Sequence, residues 1–149
     1  MRRRHEPCVL IEHENALVLE AQQETLEAAG FSVQTCTGPS AFPDGRCPLV
    51  TRSFCRKAEA ADLVLSELPA GQLQVYVALR ACFDDRPVLL GLSAAEQARM
   101  PTLTHLAEIV PRNLRGAKLV EAVHRAMSHV AVEAGPAADV AEGPRRKTV

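Results

Sequence analysis

The chain has 149 residues, enough for one domain, and 47% of them are apolar, enough to fill a core. Its 17 basic and 18 acidic residues give a formal net charge of -1, which excludes the concentrated basic surface of a nucleic-acid-binding protein. No apolar stretch approaches the ~20 residues that cross a bilayer, and too few apolar residues follow the basic start for a signal peptide. We therefore expect a cytoplasmic protein that contacts neither nucleic acid nor membrane.

Both ends of the chain carry basic clusters and no hydrophobic period. Residues 1–7 are expected to form a flexible basic N-terminus, and residues 132–149, rich in Ala, Gly, Pro and charge, a disordered tail. One folded unit over residues 8–131 remains, and the segment after its last helix is too short to fold as an output domain.

Five apolar runs in the folded part are typical of strands, and they lie at residues 8–11, 31–36, 62–67, 86–93 and 106–110. Helical spacing predicts helices over residues 15–29, 72–82 and 115–130. In the first of these, Ala16, Leu19 and Leu26 fall on one face, which Gln23 interrupts. A short helix is expected from near Ser53 through CRKAEA, and a weak helix over 94–105 that Pro101 interrupts.

Residues 37–56 are rich in Pro and Gly and are predicted to be loop. Cys36, Cys47 and Cys55 bracket this segment, with gaps of ten and seven residues that are wide for paired zinc ligands. Ordinary thiols, a redox pair of Cys47 with Cys55, and a metal site completed by Cys8 or a His remain open as interpretations.

Strands that alternate with helices predict an α/β fold, a doubly wound five-stranded parallel sheet with helices on both faces. In such folds the working surface lies at the carboxyl ends of the strands. Polar residues follow four of the five strands, and they are Glu12, His13 and Glu14, then Glu67, Ser93 and Arg112.

Four segments in order resemble the receiver domains of response regulators, over residues 8 to 131. VLIEHENALVLEAQQETLEAAGFSV resembles the receiver opening, and ADLVLSELPAG resembles the phosphoacceptor segment. RPVLLGLSA resembles the fourth strand with its Ser or Thr, and EIVPRNLRGAKLVEAV the fifth strand and following helix. The resemblance implies the CheY-like fold and a role in two-component signalling.

The pocket of this chain departs from the receiver pattern. Receivers have an acidic pair where Glu12 and His13 stand, an acceptor Asp where Glu67 stands, and a Lys where Arg112 stands. Mg²⁺ demands oxygen ligands in octahedral geometry and disfavours imidazole. The carboxylate of Glu67 is also displaced by one C–C bond, ~1.5 Å, from the position of an Asp carboxylate. We expect these changes to abolish conventional phosphorylation.

The substitutions suggest a fixed internal ion pair in place of metal and phosphate. A guanidinium suits a bidentate carboxylate pair, so we expect Arg112 to bind Glu67, with Ser93 donating to it. The result is either a domain locked in one signalling state or a relic pocket repaired for stability. Ile109, where receivers often have an aromatic switch residue, agrees with a static pocket in both versions.

The sequence thus predicts an atypical, non-enzymatic, stand-alone receiver-like module without a cofactor or metal, which acts by protein contact. By resemblance, the face made by a receiver's fourth helix, fifth strand and fifth helix meets a protein partner or a second copy. In this chain that face lies around residues 94–99 and 118–125. The alternative is a thiol- or metal-responsive sensor that uses Cys36, Cys47 and Cys55.

Overall fold

A computed structural model of the chain describes residues 6–69, 72–82, 85–105 and 107–128. Its centre is a five-stranded sheet with every neighbouring pair parallel, in the order β2-β1-β3-β4-β5. The strands are β1 (Cys8–Glu12), β2 (Ser32–Cys36), β3 (Leu63–Ser66), β4 (Val88–Leu92) and β5 (Glu108–Pro111). This order, which reverses direction beside β1, confirms the predicted doubly wound fold.

Helices connect the strands on both faces of the sheet. They are α1 (Ala16–Ala28), α2 (Pro48–Arg52), α3 (Arg56–Ala60), α4 (Leu73–Cys82), α5 (Ala94–Arg99) and α6 (residues 116–128). Two short 3-10 turns cover Pro39–Ala41 and Pro101–His105. Asn15 begins α1 because its side-chain oxygen accepts from the backbone N–H groups of Leu17 and Val18, at 2.9 and 3.4 Å.

Successive side chains along each strand point to opposite faces of the sheet, and this alternation divides the core into two clusters. Val9 and Ile11 of β1 pack with α1 and α6 on one face, whereas Leu10 packs with α2, α3 and α4 on the other. We call the first the α1–α6 face and the second the α2–α4 face. All five residues of β1, and all five of β4, are buried, as expected for central strands of a covered parallel sheet.

The predicted loop over residues 37–56 is wrong in part, because it contains α2. Pro48 occupies the first turn of that helix, where its missing N–H has no partner to lose, so a proline there starts a helix rather than breaking one. Ser53, in the left-handed conformation with φ of 55°, ends α2, and α3 begins only at Arg56. The weak helix predicted over 94–105 is two pieces, because α5 stops before Pro101.

The ends of the chain lie mostly outside the described residues. Of the predicted flexible N-terminus 1–7 only residues 6 and 7 are described, and the predicted tail 132–149 and the last residues of the predicted domain and helix are not. Among the described residues, no helix has the length and apolar character needed to cross a membrane.

Candidate functional site

The carboxyl ends of the strands bring the predicted polar residues to one edge of the sheet. Glu12 is the last residue of β1 and His13 follows it, while Glu67 follows β3, Ser93 follows β4 and Arg112 follows β5. The edge is closely tied, since the backbone N–H of Glu67 donates to the carbonyl of Glu12 at 2.8 Å. These residues nevertheless form three separate groups of contacts rather than one pocket.

The first group surrounds the carboxylate of Glu67, whose residue is 0% exposed. Its Oε1 accepts from the backbone N–H of Asn113 at 2.7 Å, and its Oε2 accepts from Nε2 of Gln22 at 3.0 Å. The Gln22 amide also donates to the carbonyl of Leu114 at 3.0 Å. Both carboxylate oxygens are therefore engaged, and one side chain links β3, α1 and the loop between β5 and α6.

Room for the long Glu67 side chain comes from Gly91 on β4. A Cβ atom at position 91 would lie 2.4 Å from Cγ, 2.5 Å from Oε1 and 2.8 Å from Cδ of Glu67. Such distances are far inside van der Waals contact, so the glycine is required for this placement of the carboxylate. The extra methylene that distinguishes Glu67 from an Asp is thus housed against the neighbouring strand.

His13 belongs to the same group, and its hydrogen bonds define its tautomer. Nδ1 accepts from the backbone N–H of Asn15 at 2.9 Å, so it carries no proton, and Nε2–H donates to Oδ1 of Asn113 at 2.8 Å. The 3.6 Å separation between Nε2 of His13 and Oε2 of Glu67 is therefore a contact of a neutral ring with a carboxylate. Both ring nitrogens are used within the protein.

The second group corrects the predicted Glu67–Arg112 ion pair with Ser93 donating. Arg112 instead forms a bidentate pair with Glu96 of α5, Nε to Oε1 at 2.8 Å and Nη2 to Oε2 at 2.9 Å. It touches Glu67 only through the backbone, with Nη1 to the Glu67 carbonyl at 2.7 Å and Nη2 to the Leu68 carbonyl at 3.2 Å. Ser93 Oγ accepts from the N–H of Glu96 at 3.2 Å, as the N-cap of α5.

Glu96 and Arg112 of this second group stabilise each other in their charged forms. Burial opposes ionisation of Glu96, but the Arg112 hydrogen bonds and charge and the N–H of Ser93 outweigh it and lower its pKa to about 2. Burial also opposes the charge of Arg112, and the Glu96 hydrogen bonds and charge overcome this and raise its pKa. The hydroxyl of buried Tyr76 donates to the Leu68 carbonyl as well, and burial raises the pKa of that hydroxyl.

The third group lies on the α2–α4 face, where Glu12 and its register partner Ser66 are 3% and 0% exposed. Glu12 Oε1 and Ser66 Oγ have no hydrogen-bond partner among the described residues. Burial raises the pKa of Glu12 to about 7, and the nearby Ser66 hydroxyl partly offsets this. Glu12 and Glu67 therefore belong to opposite faces of the sheet.

The side chains at this edge are not a suitable ligand set for the magnesium ion that the receiver fold implies. Both Glu67 oxygens already accept internal hydrogen bonds, and the His13 ring has no free lone pair. Within the described ranges, no group of three or more His, Cys, Asp or Glu residues could hold a metal ion. We therefore derive no step through magnesium.

The three cysteines of the predicted thiol cluster are free thiols near the third group. Cys36 and Cys47 both lie within electrostatic range of Glu12 and Cys55. Burial raises the pKa of the Cys36 and Cys47 thiols, which lowers the fraction of reactive thiolate. Among the described residues these cysteines are not part of any group that could hold a metal ion. The hypothesis of a thiol-responsive sensor stays a prediction.

Sequence reasoning missed four residues of the site, namely Gln22, Gly91, Glu96 and Asn113. The helical spacing of α1 carried one signal, since Gln22 stands three residues after Leu19 and four before Leu26, and all three are buried. The predicted face was wrong in placing Ala16, which is exposed, and Gln23, which is only partly buried. The sequence Ser-Ala-Ala-Glu before α5 was a readable capping box.

Comparison with known proteins supports the fold. No protein-family model and no curated protein matches the chain. A CheY-like receiver domain protein from Methanospirillum hungatei JF-1 has a TM-score of 0.63 at 14% identity, over 87% of this chain and 99% of that one. A receiver domain protein from Clostridium thermocellum gives 0.63 at 16%, over 85% and 98%. The non-phosphorylated receiver domain of HemR from Leptospira biflexa gives 0.58 at 22%, over 83% and 95%.

Proposed function

We propose that this chain, on a receiver fold, is an atypical receiver-like signalling module that acts by protein contact and without conventional phosphorylation. Receiver domains in general are signalling modules rather than enzymes, and they work through protein partners. The observation that carries the proposal is the state of Glu67, whose two carboxylate oxygens are both bound internally in a fully buried position.

A phosphoryl acceptor needs a free carboxylate oxygen, room for in-line attack and positive charge around the transferred group. Each carboxylate oxygen of Glu67 already accepts an internal hydrogen bond in a position that is 0% exposed, and the neutral His13 ring supplies neither an acidic ligand nor charge. The guanidinium of Arg112 is already neutralised by Glu96. The acceptor oxygens are therefore already bound and the nearby positive charge is already neutralised, so two of the three requirements of phosphoryl transfer are unmet at this edge.

The arrangement instead favours a domain locked in one state over a relic pocket. One carboxylate, that of Glu67, ties β3 to α1 through Gln22 and to the β5–α6 loop through Asn113. Asn113 has a left-handed conformation with φ of 61°, which Asn tolerates better than other non-glycine residues but which still favours a position held by its neighbours. The Glu67 and His13 hydrogen bonds provide that hold.

The partner surface that we propose is the one made by α5, β5 and α6, around residues 94–99 and 118–125. Arg112 connects the site to it, because the same guanidinium binds the Glu67 carbonyl at the site and the Glu96 carboxylate on α5. Arg125 on α6 pairs with Glu108 on β5 at 2.9 Å and fixes the other part of the face. A shift of the main chain at position 67 can therefore reach this surface through one residue.

Acetyl phosphate with Mg²⁺, followed by intact mass measurement, tests the absence of phosphorylation. We expect no phosphoryl adduct on the wild type or on Glu67→Gln, whereas a conventional receiver treated in parallel gains one. An adduct on the wild type that Glu67→Gln loses would refute the proposal.

Partner capture tests the link between site and surface. We expect a protein captured from native lysate by the wild type to be lost by Glu67→Ala and retained by Glu20→Ala, an exposed position on α1. Equal capture by all three proteins would favour the relic pocket.

A further inference from the structure

Helix α4 carries two apolar faces, although a surface helix needs only one. One face is buried against the sheet through Val75, Tyr76 and Leu79. The other face contains Val77, Ala78 and Ala81, together with Gln74, at the helical spacing i, i+3, i+4 and i+7. Val77 is 51% exposed, and the ten residues of α4 include a single charged residue, Arg80.

An open groove of about 370 Å³ lies between this second face and helix α2. Leu49 and Val50 line it from α2, and Val77, Ala78 and Ala81 line it from α4. Among the described residues the exposed large hydrophobic side chains number four, and two of them, Val50 and Val77, line this groove. Such clustering of exposed apolar side chains marks an interaction surface.

A third exposed hydrophobic residue, Phe54 at 54%, follows Ser53, which also lines the groove. The fourth, Leu17, lies on α1 and is 76% exposed. Phe54 therefore extends the apolar surface along the segment after α2, whereas Leu17 provides an unrelated reference position.

The rim of the groove is basic. Residues 44–59 contain four cations against two acids, Asp44 and Glu59, and Glu59 pairs with Arg86. Arg46, Arg52 and Arg56 are exposed and form no ion pair in the described part of the chain. Arg46 shares one neighbouring hollow with Val50 and a second with Arg52 and Asp44, so a net positive charge lies on the α2 side of the apolar lining. The surface thus combines an apolar floor with positive edges.

We propose that the α2–α4 groove binds an acidic amphipathic helix of a partner protein. The apolar stripe of the partner lies against Val50 and Val77, and its flanking carboxylates face Arg46 and Arg52. The alanines at positions 78 and 81 have short side chains, which lets a helix backbone approach closely. The groove is separate from the α5–β5–α6 face, so this proposal stands whether or not the site is locked.

Charge decides against a second copy of the chain as the occupant. A twofold dimer through this groove would bring the cations of both copies into one interface with too few acids to pair with them. A nucleic acid would use the cations but leave the aliphatic floor made by Leu49, Val50 and Val77 without a matching surface. An acidic helix matches both the apolar and the charged part.

Selection from a displayed library of randomised helices on the immobilised protein tests the proposal. We expect the enriched helices to be acidic, with apolar residues at i, i+3 or i+4 and i+7. Their synthetic peptides should bind Val77→Glu at least about tenfold more weakly than the wild type by fluorescence anisotropy. Arg46→Glu should weaken binding and its salt dependence together.

Leu17→Glu is the matched control, since it replaces a hydrophobic residue that is even more exposed than Val77 and lies outside the groove, and it should leave binding unchanged. Both Val77 and Leu17 are exposed, so neither variant should disturb folding, which circular dichroism checks. Enrichment of basic or neutral helices, no enrichment over Val77→Glu, or equal losses in both variants would overturn the proposal. So would a dimer in sedimentation that Val77→Glu abolishes, or tighter binding of a single-stranded oligonucleotide.

Discussion

The substitution Gly91→Ala tests whether the Glu67 carboxylate sits where its hydrogen bonds require. The new Cβ would lie 2.4 Å from Cγ of Glu67, whereas ordinary contact begins at 3.4 Å. The side chain must therefore move by about 1 Å, the difference of these distances. Its hydrogen bonds of 2.7 Å to the N–H of Asn113 and 3.0 Å to Gln22 would then be broken or badly stretched.

The expected loss follows from these two effects. Overpacking a buried position costs about 1–3 kcal/mol, and each lost hydrogen bond to a charged group costs about 1.5–3 kcal/mol. With overpacking and the loss of one of the two hydrogen bonds, we expect Gly91→Ala to lower the free energy of unfolding by about 3–5 kcal/mol, a large part of the ~5–15 kcal/mol of a typical domain. With a slope near ~2 kcal/mol per M, the urea midpoint falls by about 2 M.

A double-mutant cycle with Glu67→Ala gives this prediction its sharpest form. Glu67→Ala removes all three atoms nearest to the new Cβ. In that background Gly91→Ala should be neutral or stabilise by up to about 1 kcal/mol, because alanine restricts the unfolded chain more than glycine does. Urea unfolding of the four proteins measures the difference. If Gly91→Ala costs the same in both backgrounds, the side chain of Glu67 is not against β4 and the reasoning fails.

The charged and titratable groups give three further expectations. Arg112→Lys loses the planar fork and should lower the free energy of unfolding by about 2–3 kcal/mol in urea, whereas Arg125→Lys, an exposed pair, should cost under about 1 kcal/mol. Burial raises the pKa of Glu12 from 4.5 to about 7, so its stability contribution, full below pH 4.5, is lost as pH rises to about 7. Glu12→Gln should remove that slope from thermal unfolding curves, and an unchanged slope would exclude Glu12 as its source. Burial raises the pKa of Cys36 and Cys47, so both should react with a disulfide reagent at least about tenfold more slowly in the folded protein than in urea. Equal rates would instead support thiol sensing.

The sheet could be predicted because burial on both faces leaves continuous apolar runs. Cys8 to Ile11 form such a run, and so do Val88 to Leu90, and each corresponds to a central strand of the structure. The helix α2 could not be predicted with the same rule, because it has only five residues and begins at Pro48. A single turn of helix is too short to show a period, and its stability comes from packing on α4.

The pairing of side chains at the site could not be predicted. The order of strands and helices in the sequence shows that these residues lie at one edge of the sheet, but it does not show which partner each side chain contacts. Glu67 belongs by alternation to the α1–α6 face, where Gln22 and the loop at Asn113 meet it. Arg112 reaches over the end of β3 and finds Glu96, which the cap of α5 holds in place. Both contacts depend on helix positions that no strand pattern reports.

The departures from the receiver pattern are physically linked rather than independent. The long side chain of Glu67 fits only because position 91 is glycine, and its charge is tolerated only because an amide and a backbone N–H bind it. Shortening it to Asp would withdraw the carboxylate from both donors and leave a gap against β4, while His13 would still occupy the place of an acidic ligand. A conventional phosphorylation site would therefore require several coordinated changes here, which is what the proposed locked site means in physical terms.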